Sequence, residues 1–264
     1  MHIVTSADVL EEAAIALQAA SEVSGTCTAM QDVLAADAVV LVSAPASASA
    51  WTCSYERGLT ALHLIEIAAA GDFGYTVAAG QAGDSAAWHV LVWRQRRDSS
   101  WRVEAAMRTV HLFQASDGGP VTRAGRGWAR AGRPLYQEAA RVAMLKADRD
   151  MAAISMGAGS TVAYGEALSD SALYLRAGER PLSGRQRSLK WIRHQPGMVT
   201  WVPVGGAVAR AGDLGYTYGM QTVRPPPPDT LLLTRAYLRL WRARPDSTWQ
   251  IAVEVQGKAS RAGM

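Results

Sequence analysis

Apolar positions recur along this chain first at helical and then at strand spacing, and the whole series occurs twice. Val9, Leu10, Ala13, Ala14, Leu17 and Ala20 fall on one helical face. Ser6 or Asp8 can cap that helix, and Glu11 and Glu12 suit its first turn. The pattern predicts a short helix over Ala29–Ala35 and a strand over Ala38–Val42. It then predicts strands over Leu59–Ile67, Tyr75–Gly80, Trp88–Arg97 and Trp101–Thr109. Gly71-Asp72 and Asp98-Ser99-Ser100 supply turns. The second half follows the same order. Leu135, Ala139, Val142, Ala143, Met144 and Ala147 predict a helix running to Ile154, followed by a helix over Thr161–Leu168 and a strand over Ala172–Arg176. Strands are predicted over Met198–Ala209, Tyr216–Val223, Leu231–Arg244 and Trp249–Gln256. Helices followed by an antiparallel meander make each half α+β, with helices on one face of a curved sheet.

The two halves are copies. Ala70-Gly-Asp-Phe-Gly-Tyr-Thr76 returns 141 residues later as Ala211-Gly-Asp-Leu-Gly-Tyr-Thr217. Val92-Trp-Arg94, Asp98-Ser99 and Trp101 return 148 residues later as Leu240-Trp-Arg242, Asp246-Ser247 and Trp249. The extra residues lie around Pro225–Pro228, which read as a stiff hairpin loop. Leu34-Ala-Ala-Asp37 is matched more weakly by Leu168-Ser-Asp170. The expected organisation is a first repeat at 1–113, a Gly- and Arg-rich linker at 114–133 and a second repeat at 134–264.

With the repeat in place, Ala211-Gly-Asp-Leu-Gly-Tyr-Thr-Tyr-Gly219, Tyr237-Leu-Arg-Leu-Trp-Arg242, Asp246-Ser-Thr-Trp249 and Val253-Glu-Val255 resemble the SnoaL-like branch of the nuclear-transport-factor-2-like superfamily. Leu168-Ser-Asp170 and Gly178–Gly184 fit the same pattern. The first repeat keeps Gly71–Tyr75, Trp93, Asp98 and Trp101, whereas its segment Ser43–Ala50 has diverged. The resemblance implies two tandem cones, each a curved antiparallel sheet wrapped round a helix with a pocket inside. It also implies pairing through the sheet faces, here as a pseudo-dimer within one chain. Superfamily members include isomerases, epoxide hydrolases, cyclases, dehydratases and binding modules, so the fold does not fix an activity.

Composition narrows the classes. Of 264 residues, 49% are hydrophobic and 19% charged, which suits a globular core. The formal charge of +4 neither requires nor excludes a polyanionic partner, and the four arginines of the linker have Trp128 alone among them, without the aromatic interleaving of a nucleic-acid arm. No apolar run is long enough to span a membrane, and Met1–Glu12 has no leader pattern, so a cytoplasmic location without membrane or nucleic-acid partners is the expectation. Cys27 and Cys53 cannot make a scaffold; two free thiols are the simpler reading and one disulfide the alternative. No residue cluster has metal-ligand spacing, and no phosphate- or dinucleotide-binding loop is present, so no metal or cofactor is implied.

Candidate chemistry sits on the strands. Strict alternation puts Trp101, Val103, Ala105 and Met107 on one face, and Glu254 on the face of Gln250 and Ala252. Glu254 stands where the first repeat has Ala106, and is the candidate acid/base. Tyr237 and His89 occupy equivalent positions and are candidates to assist it. Tyr164, Tyr174 and Trp241 are candidate ligand-binding groups. Asp72 and Asp213 read as turn residues, and Trp93, Trp101, Trp241 and Trp249 as packing between hairpin strands. Three readings follow: a binding protein for a small apolar or amphipathic molecule, a cofactor-independent isomerase, cyclase, hydratase or hydrolase, or an interaction module with vestigial pockets.

Overall fold

The computed structural model describes residues 6–42, 44–51, 56–82, 85–111, 122–123, 137–227 and 231–261. The first repeat runs α1 (Ser6–Ser24), α2 (Thr26–Val33), β1 (Leu34–Leu41), β2 (Pro45–Ser47), β3 (Glu56–Ile67), β4 (Phe73–Ala82), β5 (Ser85–Gln95) and β6 (Trp101–His111). A short β7 (Thr122–Arg123) within the expected linker pairs in parallel with β3. The second repeat runs α3 (Gln137–Ala158), α4 (Ser160–Ala167), β8 (Leu168–Arg176), β9 (Leu182–Ser183), α5 (Arg185–Arg193), β10 (Met198–Val208), β11 (Leu214–Arg224), β12 (Leu233–Ala243), β13 (Trp249–Gln256) and β14 (Ser260–Arg261). The architecture is α+β and tandem, as expected. Each meander is antiparallel, but β1 joins β6 in parallel, and β8 joins β13 in the same way.

Helix α1 buries Leu10, Ala14, Leu17 and Ser21, one side of a 3.6-residue spiral, against β3. Helix α3 buries Ala140, Met144, Asp148, Met151 and Ser155 in the same way against β10. Each second helix starts after a glycine at positive φ, Gly25 or Gly159, 134 residues apart. They end two residues and one residue before the expected ends, at Val33 and Ala167, because Leu34 and Leu168 already pair with the last strand of the sheet. Helix α5 is an addition that the sequence pattern did not predict. In the first repeat the stretch after β2 is a single 3-10 turn, Ala48–Ala50.

Strict alternation fails on β6 and β13. Opposite Val92-Trp93 and Leu240-Trp241, one residue is skipped in each partner strand, Glu104 and Ala252. These are equivalent bulges. They correct the expected faces. Trp101, Val103 and Ala106 point into the first cone, while Ala105 and Met107 point away from it. In the second repeat Ile251 faces the cone, and Ala252, Val253 and Val255 face outward.

Those outward faces meet. Phe73, Tyr75, Val77, Val90 and Val92 of the first repeat share one core with Leu214, Tyr216, Leu238, Leu240 and Val253 of the second. The Gly-Asp-x-Gly-Tyr motif stitches this contact from both sides. Asp213 accepts from the backbone N–H of Ala69 at 2.8 Å, and Asp72 accepts from that of Arg210 at 3.3 Å. The expected turn aspartates therefore also cap the opposite repeat. Burial comes first among the causes that raise the Asp213 pKa.

The equivalent arginines Arg94 and Arg242 solve the same problem differently. Arg94 takes its acid from its own sheet, bonding Glu104 at 2.5 and 2.9 Å. Position 252, the counterpart of Glu104, is alanine. Arg242 instead reaches across the interface to Glu66, which also accepts from Tyr75 Oη. The counterpart of Glu66 is Ala207. Each arginine thus has one main acid, internal in one repeat and cross-repeat in the other.

Cys27 is disulfide-bonded, which corrects the free-thiol reading; Cys53, the other cysteine of the chain, lies outside the described residues. Such bonds persist mainly in oxidising compartments. No helix among the described residues is long and apolar enough to cross a membrane.

Removing the cross-repeat acid should strand Arg242. We expect Glu66→Ala to cost about 3 kcal/mol in urea unfolding, as for other mostly buried pairs that lose one member. Adding Ala252→Glu, which copies the internal acid of the first repeat, should recover more than half of that loss. No recovery in the double variant would show that the two solutions are not interchangeable.

Candidate functional site

Strand parity brings Tyr237, Arg239 and Trp241 of β12 to the inside of the second cone, facing α3 and α4. Beyond its bulge, β13 adds Glu254 and Gln256. Arg239, Asp148 and Glu254 are all completely buried. The guanidinium of Arg239 donates to Asp148 through Nη1 and to Glu254 through Nε at 3.0 Å. Tyr237 Oη donates to the other Asp148 oxygen at 2.9 Å. Glu254 also receives Tyr164 Oη and Gln256 Nε2, the latter at 2.7 Å. Aromatic faces complete the shell, with the guanidinium carbon 4.6 Å from the Trp201 ring centre and 4.5 Å from that of Tyr237.

The electrostatics match this closure. Burial acts to lower the Arg239 pKa, but Glu254 and Asp148 outweigh it and hold it well above its ordinary value. Burial first, then Glu254, pushes the Tyr164 hydroxyl far up, and burial with Asp148 does the same to Tyr237. Both phenols therefore stay protonated and act as donors. The arrangement is one cation between two carboxylates with every strong acceptor engaged.

Three of the candidate residues, Glu254, Tyr237 and Tyr164, meet in this network. Tyr174 packs edge-on to Tyr164 at 5.8 Å and lines a cleft of about 40 Å³, room for roughly one water. Trp241 is buried with its Nε1 on Thr217 Oγ1 at 2.8 Å, and it lines neither this cleft nor the larger cavity described below. The equivalent bond joins Trp93 to Thr76 at 2.9 Å, so this tryptophan–threonine pair ties neighbouring strands in both repeats. His89 does not meet Glu254; it is buried in the other cone, near Trp51. Burial and the nearby Arg108 lower its pKa to about 3.

Asp148 and Arg239 were not singled out from the sequence, though both carried a signal. Asp148 interrupts the apolar stripe between Met144 and Met151, and Arg239 shares strand parity with Tyr237 and Trp241. At the equivalent positions the first repeat has Ala14 for Asp148, Leu91 for Arg239, Ala106 for Glu254 and Met30 for Tyr164. Its cone is accordingly packed with apolar side chains, leaving a gap of about 10 Å³.

A further space lies between the repeats. It has a volume of about 640 Å³. Leu41, Val42, Trp51 and Val110 form its wall in the first repeat. Arg176, Arg235 and Lys258 contribute from the second. A backbone bond from Gly178 N to Val110 O, 2.9 Å, crosses between the repeats at this wall. Arg176 and Arg235 also border the small cleft of the second cone. Among the described residues no cluster of acids, histidines or cysteines could hold a metal.

Two outcomes test this description. Arg239→Met should cost about 3–5 kcal/mol in chemical unfolding, because it leaves two buried carboxylates without their cation. Asp148→Leu/Arg239→Met/Glu254→Met, which replaces all three ions by apolar groups, should be more stable than that single variant. An equal or larger loss in the triple variant would contradict the ion-pair account. The second outcome concerns His89. The unfolded chain takes up a proton near the ordinary value of 6.5, whereas the folded chain resists it down to about 3. This contribution is full above pH 6.5 and is lost as pH falls towards 3, at about 1.4 kcal/mol per pH unit. Subtracting the stability profile of His89→Gln from that of the wild type should isolate this slope; parallel profiles would refute it.

No family model matches the chain, and no curated protein matches it. Solved structures similar to it each cover about half. A conserved protein from Planctomyces limnophilus covers 46% of this chain and 95% of its own, at 13% identity and a TM-score of 0.39. An NTF2-like protein of unknown function from Pseudomonas putida covers 49% and 99%, at 12% identity and 0.41. An LEH-like epoxide hydrolase from M. tuberculosis covers 44% and 83%, at 13% identity and 0.35. These likenesses carry nothing about activity. In strand order, helix placement and internal symmetry, the chain is a tandem of two α+β repeats, each a mixed sheet with helices on one face.

Proposed function

We propose that this protein binds a small amphipathic molecule in the cavity between its two repeats, and that the cones are structural supports for it. One observation carries the reading. The space between the repeats is about 640 Å³, within the range of small-molecule sites, whereas the cone clefts are about 40 and 10 Å³. In this reading Glu254 is a counter-ion to Arg239 rather than an acid/base. A general base needs a free lone pair within reach of substrate, and Glu254 is closed off by Arg239, Tyr164 and Gln256. Tyr237 and Tyr164 orient the two carboxylates, and Tyr174 borders the cleft beside them. Since the sheet faces cover each other, the chain works as its own pseudo-dimer, with one site per chain.

A polarity-sensitive dye such as Nile red tests the placement. We expect one dye per monomeric chain, read by fluorescence titration alongside sedimentation. Ala177→Trp, in the wall of the inter-repeat cavity, should weaken binding at least tenfold. Ser160→Trp, in the cleft of the second cone, should leave it unchanged. The reverse pattern would place the ligand in the cone and overturn the proposal.

A further inference from the structure

Arg235 stands on β12, two residues before Tyr237, and pairs across the sheet with Gln221. It is only 3% exposed, yet its Nε has no hydrogen-bond partner and no carboxylate lies within ion-pair distance among the described residues. A second guanidinium is its neighbour. Arg176 lies over the Trp191 ring at 4.8 Å and donates to Gln195 at 3.2 Å. Burial, and then the like charge of Arg176, lower the Arg235 pKa to about 10. Contrast Arg239, four residues along the same strand, which has two carboxylates of its own. A buried cation without a counter-ion costs several kcal/mol in the empty protein, and such groups concentrate where a ligand completes them.

The surroundings indicate which ligand. Arg235 and Arg176 both line the inter-repeat cavity, and Arg108 and Lys258 add positive charge against a single acid among the described residues, Glu179. Thr109 Oγ1 and Trp51 Nε1, on residues of the same lining, are also buried without hydrogen-bond partners among the described residues. The other wall is apolar, formed by Leu41, Val42 and Val110. One end of the space is therefore built for an anion and the other for hydrocarbon.

We propose that the cavity takes an amphipathic organic acid, with its carboxylate on Arg235 and Arg176 and its apolar body along Val42, Trp51 and Val110. This rests on the inter-repeat reading above and names the class of ligand for that site. Planar guanidinium groups suit a carboxylate because they donate paired, charge-assisted hydrogen bonds.

Calorimetric titration of the full chain with decanoate and with 1-decanol, at neutral pH, separates the two levels. Decanoate should bind at least tenfold tighter than 1-decanol, the gain expected of charge-assisted bonds in a buried site. Arg235→Gln should reduce decanoate to the level of the alcohol and leave 1-decanol binding unchanged. Its melting temperature should equal or exceed that of the wild type, since an uncompensated charge has gone. Equal binding of acid and alcohol by the wild type would overturn the anion anchor while sparing the cavity. Decanoate affinity that survives in a folded Arg235→Gln variant would do the same. Binding of neither probe would overturn the inter-repeat site itself. The comparison of acid with alcohol uses the wild type alone, so it stands even if the variant fails to fold.

Discussion

Each sheet of this protein is apolar on both faces, and its own helices cover only one. Val90 and Val92 point one way from β5 while His89, Leu91 and Trp93 point the other. The uncovered face needs a partner, and fusion of two copies supplies it within the chain. Much else in the structure follows from that requirement. The Gly-Asp-x-Gly-Tyr turns are placed where each aspartate reaches the backbone of the opposite repeat, and the bulges at Glu104 and Ala252 redirect the last strand so that its outward residues meet the shared core.

Two copies in one chain no longer have to be identical, and they have diverged in matched ways. At the interface, Arg94 and Arg242 have kept their places while their acids have moved to different scaffolds. Inside the cones the divergence is of kind. The first cone is filled with Ala14, Leu91, Ala106 and Met30, and the second at the same positions with Asp148, Arg239, Glu254 and Tyr164. Either set closes the interior. The ionic set does so with directional bonds that fix how α3, α4, β12 and β13 meet, a role buried ion pairs fill at little net gain in stability.

The repeat, the α+β class and most strands were legible because they rest on apolar periodicity and on turn residues. Phe73-Gly-Tyr75 and Leu214-Gly-Tyr216 mark the same place twice. The bulges were not legible, since nothing in Val103-Glu-Ala-Ala106 distinguishes a skipped residue from a paired one. Nor was α5, whose Arg185-Gln-Arg-Ser-Leu-Lys190 has few apolar residues to show a period. Glu254 could be picked out because its counterpart is alanine. The network around it could not be assigned, because Tyr164 reaches Glu254, and Asp148 reaches Tyr237, across about ninety residues of sequence.

The inter-repeat cavity was invisible for a deeper reason. A cone pocket is a property of one repeat and can be sought within one copy, whereas this space is walled by both copies together. Trp51 and Arg108 approach it from one repeat, and Arg176, Arg235 and Lys258 from the other, so no single repeat contains it. The asymmetry that closed the second cone also bears on its position. Arg239 has absorbed both buried carboxylates there, which leaves Arg235, on the same face two pairs of residues earlier, without one among the described residues. A cation denied an internal partner and set at the edge of an open volume is the condition under which an exogenous anion binds with specificity. The surplus charge and the surplus space thus arise at the same end of the same strand.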